Sequence, residues 1–238
     1  MRAPETILPL RAEGLGFSAG GVPILEDVSL TIGAGQPTLI IGPNGAGKSV
    51  LLRLLHGLLT PSAGRVLWAG EGAPRRQAMV FQRPVLLRRS VLANVLYPLS
   101  LAGIAARERE GLARSALEMV GLAPLADRPA RRLSGGEQQR LALARAAALG
   151  PEVMFLDEPC ASLDPTATRA VEEIIGTLVA RGTKIVMTTH DLGQARRLAG
   201  EVVFLHRGRV REHAGAAAFF AAPSTPEAAA FLRGDLVW

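Results

Sequence analysis

The apolar run Thr38-Leu39-Ile40-Ile41-Gly42 leads directly into Gly42-Pro43-Asn44-Gly45-Ala46-Gly47-Lys48-Ser49, and then into the helical stretch 48–59, whose apolar residues begin with Val50 and Leu51. This strand, turn and helix constrain the chain more than any other feature. A short strand that is apolar throughout is buried on both faces, as strands of a parallel sheet are. The turn fits G-x-x-x-x-G-K-[ST]. Its glycines let the backbone curl so that successive N–H groups face one anion, and the helix behind adds the positive end of its dipole. Lys48 can reach β- and γ-phosphates, and the Ser49 hydroxyl can ligate Mg2+. The plain alternative is a glycine-rich turn that happens to hold a lysine, and a chance match occurs on the order of one time in a hundred. Phosphate binding is the stronger reading.

The rest of the chain repeats the same grammar. Residues 6–32 alternate like strands and are broken at Gly20-Gly21, and RVLWAG and QAMVF are further strand candidates. From Val91 to about Ala126 the pattern turns helical, with Ser90 placed as a cap and Ala106 opening a second helix. Strands and helices then alternate again from VMFLD (153–157) through KIVMTTH (184–190) to EVVFLHRG. The expectation is an α/β fold: a mostly parallel sheet flanked by helices, an N-terminal antiparallel β region, and an inserted α-helical subdomain at about 84–133.

Composition removes several other classes. Across 238 residues, 48% are hydrophobic and 20% charged, near the globular norm. No apolar run approaches the roughly 18 residues of a membrane span. Pro4, Glu5, Pro9 and Arg11 interrupt the start, so no signal-peptide core is expected there. A single cysteine, Cys160, excludes an internal disulfide framework and a Cys-cluster metal site, and reads as a small packing residue rather than a nucleophile. Cytoplasm is the expected compartment. The sequence pI is about 10.8. All of the 27 basic residues but Lys48 and Lys184 are arginines spread along the chain, so a solvated basic surface is favoured over a nucleic-acid stripe.

Two more segments carry chemistry. VMFLD ends in Asp157 and is followed by Glu158. Alone, such a pair reads as a solvated turn; with a phosphate loop upstream, Asp157 can hold Mg2+ and Glu158 can polarise an attacking water. In Leu133-Ser134-Gly135-Gly136-Glu137-Gln138-Gln139-Arg140, Ser134 is a good helix cap, and the glycines leave N–H groups uncovered at a helix start.

At these residues the chain resembles the ABC-type ATPase family, whose signature is the LSGGE segment, and the resemblance spans essentially the whole chain. The motifs follow the family's order: the phosphate loop (42–49), Gln82, the signature (133–137), the strand ending at Asp157, Glu158, Ser162-Leu163-Asp164, and His190. The resemblance implies one ATPase domain, with a core at about 1–83 and 134–238 and a helical subdomain at about 84–133. It implies ATP and Mg2+ as cofactors, with Ser49, Gln82 and Asp157 toward the metal. Glu158 becomes the base, assisted by Lys48, Gln82 and His190. Gly42 to Val50, Ser134 to Glu137, and Asp164 would hold nucleotide. Phe17 stands where the family stacks an aromatic on adenine, a core phenylalanine being the other reading. His190, taken alone, reads more commonly as a satisfied buried histidine, and the resemblance places it at the γ-phosphate.

The partners so implied are a second copy, through a head-to-tail ATP sandwich, and separate membrane permease subunits on the inner face of the membrane. Through the permease the chain would also work with a substrate-binding protein. No nucleic acid is expected. Arg83–Asn94 would lie in the groove that receives the permease's coupling helix. The NVLYPLSLAGI stretch and the closing EAAAFLRGDLVW look like tungstate-importer ATPases, which points to an oxyanion cargo. Phosphate or amino-acid import is the alternative, and a soluble ATPase acting on nucleic acid or ribosomes is the reading from another class.

Overall fold

The computed structural model describes residues 6–235. Pro4 and Glu5, and the last three residues of EAAAFLRGDLVW, lie outside them. The chain divides into two compact units, residues 1–74 with 184–238, and residues 75–183. The helical stretch 84–133 falls wholly within the second.

The first unit opens with β1 (Leu10–Ala19) and β2 (Val22–Ile32), antiparallel strands joined at Gly20-Gly21. Their apolar positions meet in register: Leu10 opposite Ile32, Ala12 opposite Leu30, and Leu15 opposite Val28, all buried. β3 (Thr38–Ile41) is buried along its whole length. α1 (Lys48–His56) buries Leu51, Leu52, Leu54 and Leu55, and it stops at Gly57, whose left-handed backbone lets its N–H reach back to the helix's last carbonyls. β4 (Ala63–Trp68) pairs with the other edge of β1, giving an antiparallel sheet of order β2-β1-β4.

The second unit runs from β5 (Gln77–Val80) through α2 (Val91–Leu101), α3 (Ala106–Met119) and α4 (Gly135–Ala147) to β6 (Val153–Asp157) and α5 (Pro165–Ala180). β5 and β6 are parallel, with Val80 opposite Leu156. Gln82 and Glu158, each just past its strand, therefore emerge at the same end. The Ser90 hydroxyl accepts from Ala93 N and starts α2 where the sequence expected it. α5 buries Val171, Ile174, Ile175 and Leu178, an i, i+3, i+4, i+7 stripe. Each such side chain contributes roughly 1.5–3 kcal/mol on burial.

The chain re-enters the first unit with β7 (Lys184–Thr188), α6 (Leu192–Leu198), β8 (Glu201–His206), β9 (Arg209–Gly215), α7 (Ala216–Ala221) and α8 (Pro226–Arg233). β7 and β8 flank β3, both parallel to it, and β9 returns antiparallel along β8. β9 gives little signal in the sequence. It is an edge strand with Glu212 as its one buried side chain, so the alternation Arg209-Val210-Arg211-Glu212 looks like loop.

Candidate functional site

The phosphate loop is shaped by contacts behind it. Gly42 sits at φ 149°, and a Cβ there would lie 2.0 Å from Leu205 O at the end of β8. Only glycine lets β3 turn so close to its neighbour. Lys48 is buried and donates from Nζ to Gly42 O at 2.9 Å and Pro43 O at 3.1 Å, so its ammonium lies inside the curl of the loop. Gly47 precedes α1 in the left-handed region and offers no side-chain cap, leaving the first-turn amides to the loop's concave side. Ala46 is buried, Asn44 and Gly45 are exposed, and Pro43, Gly47, Ser49 and Val50 are half-buried.

Two further residues share this unit. Phe17, half-exposed on β1, lies opposite Leu25 of β2, and the Leu25 side chain closes on Gly47 tightly enough that a Cβ there would meet it at 2.7 Å. Phe17 is thus one cross-strand pair from the loop. His190 lies two residues beyond β7, the parallel neighbour of the phosphate-loop strand, and is exposed. The buried histidine of the alternative reading does not describe it. The following Asp191 caps α6 by accepting from Gln194 N at 2.9 Å.

The second unit holds the other motif residues. Asp157 ends β6 at 1% exposure. Glu158 has a left-handed backbone, φ 44°, rare for a residue with a side chain and costing on the order of 1–3 kcal/mol. Its Oε2 lies 3.4 Å from Gln82 Nε2, a long hydrogen bond across the ends of the two parallel strands.

The signature segment makes a complete capping box. Glu137 N donates to Ser134 Oγ, and Ser134 N donates to Glu137 Oε2 at 2.7 Å. That backbone hydrogen bond holds the Glu137 carboxyl below its ordinary range; slight burial opposes it, and the Ser134 hydroxyl and the charges of Arg128 and Arg140 assist. The carboxylate of Glu137 is therefore engaged in its own helix cap, which leaves the backbone of 134–136 facing outward. Gly136 is required for packing as well: a Cβ there would come within 2.7 Å of Ala167 Cβ on α5. Ser134–Glu137 and Ser162–Asp164 line one hollow of about 420 Å³. Asp164 also caps α5, accepting from Ala167 N at 2.9 Å.

The sequence reading passed over two residues. Asn94 is fully buried in α2; it accepts from Leu87 N at 2.8 Å and donates to the carbonyls of Leu87 and Ser90. It fixes the segment between Gln82 and α2. Its only signal is a polar residue on the buried stripe of an apolar helix. Arg145 of α4 donates to Val85 O at 2.6 Å, and burial pulls its pKa down. Arg145, Phe81, Pro84, Val85, Pro98 and Leu149 line a groove of about 360 Å³. Val85 is 83% exposed at its lip.

Residues 25–161 match the family described as ABC transporter. The phosphate import ATP-binding protein PstB 2 of Natronomonas pharaonis is 37% identical, over 96% of this chain and 88% of that protein. The tungstate uptake system ATP-binding protein TupC of Peptoclostridium acidaminophilum is 40% identical, over 87% of this chain and 99% of that one. Other relatives at 38–40% identity are named for methionine, taurine and nickel import. A dimeric ATP-binding cassette solved in a post-hydrolysis state with ADP and Pi superposes with a TM-score of 0.77 at 28% identity, covering 87% of this chain and 98% of that chain. Phosphate loop, capped signature and paired strand ends occur here in the order that family uses, and the chain belongs to the ABC transporter family as one of its ATP-binding subunits.

Proposed function

We propose that this chain hydrolyses ATP to drive a bacterial importer, working as a head-to-tail dimer on separate permease subunits at the inner face of the membrane. The chain's own residues supply the chemistry. Lys48 and the amides of 42–49 take the phosphates, and Phe17 takes the adenine. The backbone of Ser134–Gly136 in a second copy, with its Asp164, closes over the γ-phosphate. Water attacks phosphorus in line, Glu158 accepts its proton, and the bond to the β-phosphate oxygen breaks to release ADP; Lys48 and His190 stabilise the charge in transfer. Asp157, Ser49 and Gln82 offer a carboxylate, a hydroxyl and an amide oxygen, the hard donors that Mg2+ takes. The Gln82 amide nitrogen is turned toward Glu158, which leaves its oxygen for the cation. Mg2+ bound there would neutralise charge on the phosphate oxygens.

The observation that carries this reading is the Glu158 carboxylate held by Gln82 at the shared end of two parallel strands. Glu158→Gln should keep ATP binding, lose turnover by on the order of a hundredfold or more, and accumulate as a dimer with Mg-ATP in size-exclusion chromatography. A variant that stays monomeric and turns over at the parent's rate would refute it. Lys48→Ala should instead lose nucleotide affinity.

No helix among the described residues is long and apolar enough to cross a membrane, which fits a subunit that borrows its span from a permease. The apolar lip of the groove beside Val85 is suited to a permease helix. For cargo we favour tungstate or a related oxyanion, a reading that the tungstate relative supports; phosphate or amino-acid import is the alternative, to which the phosphate and methionine relatives correspond. ATPase stimulation of the reconstituted transporter by binding protein loaded with tungstate, phosphate or an amino acid discriminates among them. Stimulation by the amino acid alone would end the oxyanion reading.

A further inference from the structure

Five of the arginines that look dispersed in the sequence lie on two adjoining segments of the second unit. Ser90 forms an antiparallel bridge with Pro129, Val91 N donates to Arg128 O at 2.9 Å, and Ala130 N donates to Arg89 O at 3.0 Å. This laces residues 88–91 to 128–131 side by side. Arg88 and Arg89 thereby stand beside Arg128, Arg131 and Arg132, all five exposed. Among the described residues none of the five makes an ion pair; Arg89 instead lies over the Tyr97 ring at 5.8 Å. The acidic groups near them are Asp127, exposed beside Arg128; Glu137, which is engaged in its helix cap; and Glu110, which lines the hollow of Arg89 and Tyr97 and is paired with Arg114. Five exposed arginines on two backbone segments laced together repel one another and are tolerated because water screens them. An arginine fork is shaped for bidentate pairing with carboxylates.

The patch is continuous with the apolar groove. Val85, on the groove's lip, and Arg88 are three positions apart in the chain, a reach of at most about 10 Å. Asn94 pins the stretch between them through Leu87. The two surfaces are therefore held at a fixed spacing, apolar first and cationic next.

We propose that this composite surface recognises an acidic amphipathic helix of the partner, with apolar residues in the groove and carboxylates within two turns of them facing Arg88, Arg89, Arg128, Arg131 and Arg132. The proposal rests on the permease-docking reading and gives the docking segment its chemistry. A nucleic acid or an anionic lipid surface would engage the arginines and gain nothing from the groove beside them.

Fluorescent helical peptides of about 16 residues, ~24 Å long, test it directly. They share one leucine-alanine face and carry glutamate, glutamine or lysine on the other. The glutamate peptide should bind the full chain roughly tenfold more tightly than the glutamine peptide at low salt, and the advantage should shrink as salt is raised. The triple variant Arg88→Gln, Arg128→Gln, Arg131→Gln should erase that advantage while keeping the parent's circular dichroism. Val85→Asp should weaken both peptides. Equal binding of the glutamate and glutamine peptides overturns the acidic partner and leaves the groove as a docking site. Affinities of the two peptides left untouched by Val85→Asp, with the glutamate advantage intact, overturn the composite surface and count against docking in the groove. Preference for duplex DNA or phosphatidylglycerol vesicles over the glutamate peptide overturns the proposal and reassigns the patch.

Discussion

At Gly42 a single methyl group would decide whether the phosphate loop forms. Alanine there would need a φ of 149° and would bring Cβ to 2.0 Å from a backbone oxygen that cannot move without shifting β8. Gly42→Ala should therefore destabilise the fold by on the order of 3 kcal/mol and lose nucleotide binding, read by thermal unfolding and fluorescent-nucleotide titration. Gly45 is the internal control: it also has positive φ but nothing within 4 Å of its Cβ. Gly45→Ala should cost only the backbone strain, about 1 kcal/mol. Near-parental stability of Gly42→Ala would mean that the Leu205 carbonyl does not confine the loop. The motif fixes a glycine at 42 and leaves position 45 open, and the packing gives the reason: both have positive φ, but only Gly42 has a backbone oxygen against it.

Single side chains also hold whole elements in place. α8 is docked by Glu212 of β9, which is 8% exposed and accepts from Ser224 N, Thr225 N and the Thr225 hydroxyl at 3.0–3.3 Å. A carboxylate at a helix start both satisfies unpaired amides and opposes the positive end of the dipole. Glu212→Ala should leave these groups without their partner and cost about 2 kcal/mol. Hydrogen exchange at residues 224–231 should rise far more than exchange in β3. Unchanged protection over α8 would show that its apolar contacts suffice. α2 follows the same logic, with Ser90 and Asn94 setting where the helix begins and how the preceding segment is held.

For the molecule as a whole, acid stability depends on a knot at the N-terminal ends of three parallel strands, opposite the phosphate loop. Glu201 of β8 lies against the Thr38 hydroxyl, His213 Nε2 at 3.2 Å and the buried Lys184 ammonium at 3.2 Å. Burial alone would raise its pKa, but His213, Thr38 and Lys184 together bring it down from an ordinary 4.5 to about 2. Burial works against the Lys184 charge too, and Glu201 restores part of it. A depressed carboxylate stabilises the folded state fully above the unfolded-state pKa and stops doing so as pH falls through the folded value. Glu201→Gln should therefore melt below the parent at neutral pH, and the gap should close between pH 4.5 and about 2. A gap that stays constant over that window would contradict the linkage.

Features fixed by neighbours in the chain were legible in the amino-acid sequence: the apolar strand before Gly42, the Ser90 and Ser134 caps, the carboxylates at the end of β6, and the alternation that makes an α/β fold. Their physics is short-ranged, since dihedral limits, caps and the period of burial act over a turn or a strand. What depends on distant segments meeting was not legible. The knot joins Thr38, Lys184, Glu201 and His213, Gly42 is confined by Leu205, and the backbone around Arg89 pairs with that around Arg128 across some forty residues. Sequence counts charges and spacings along one dimension. Coulomb interactions, hydrogen bonds and close packing depend on distance in three, and only the tertiary structure supplies it.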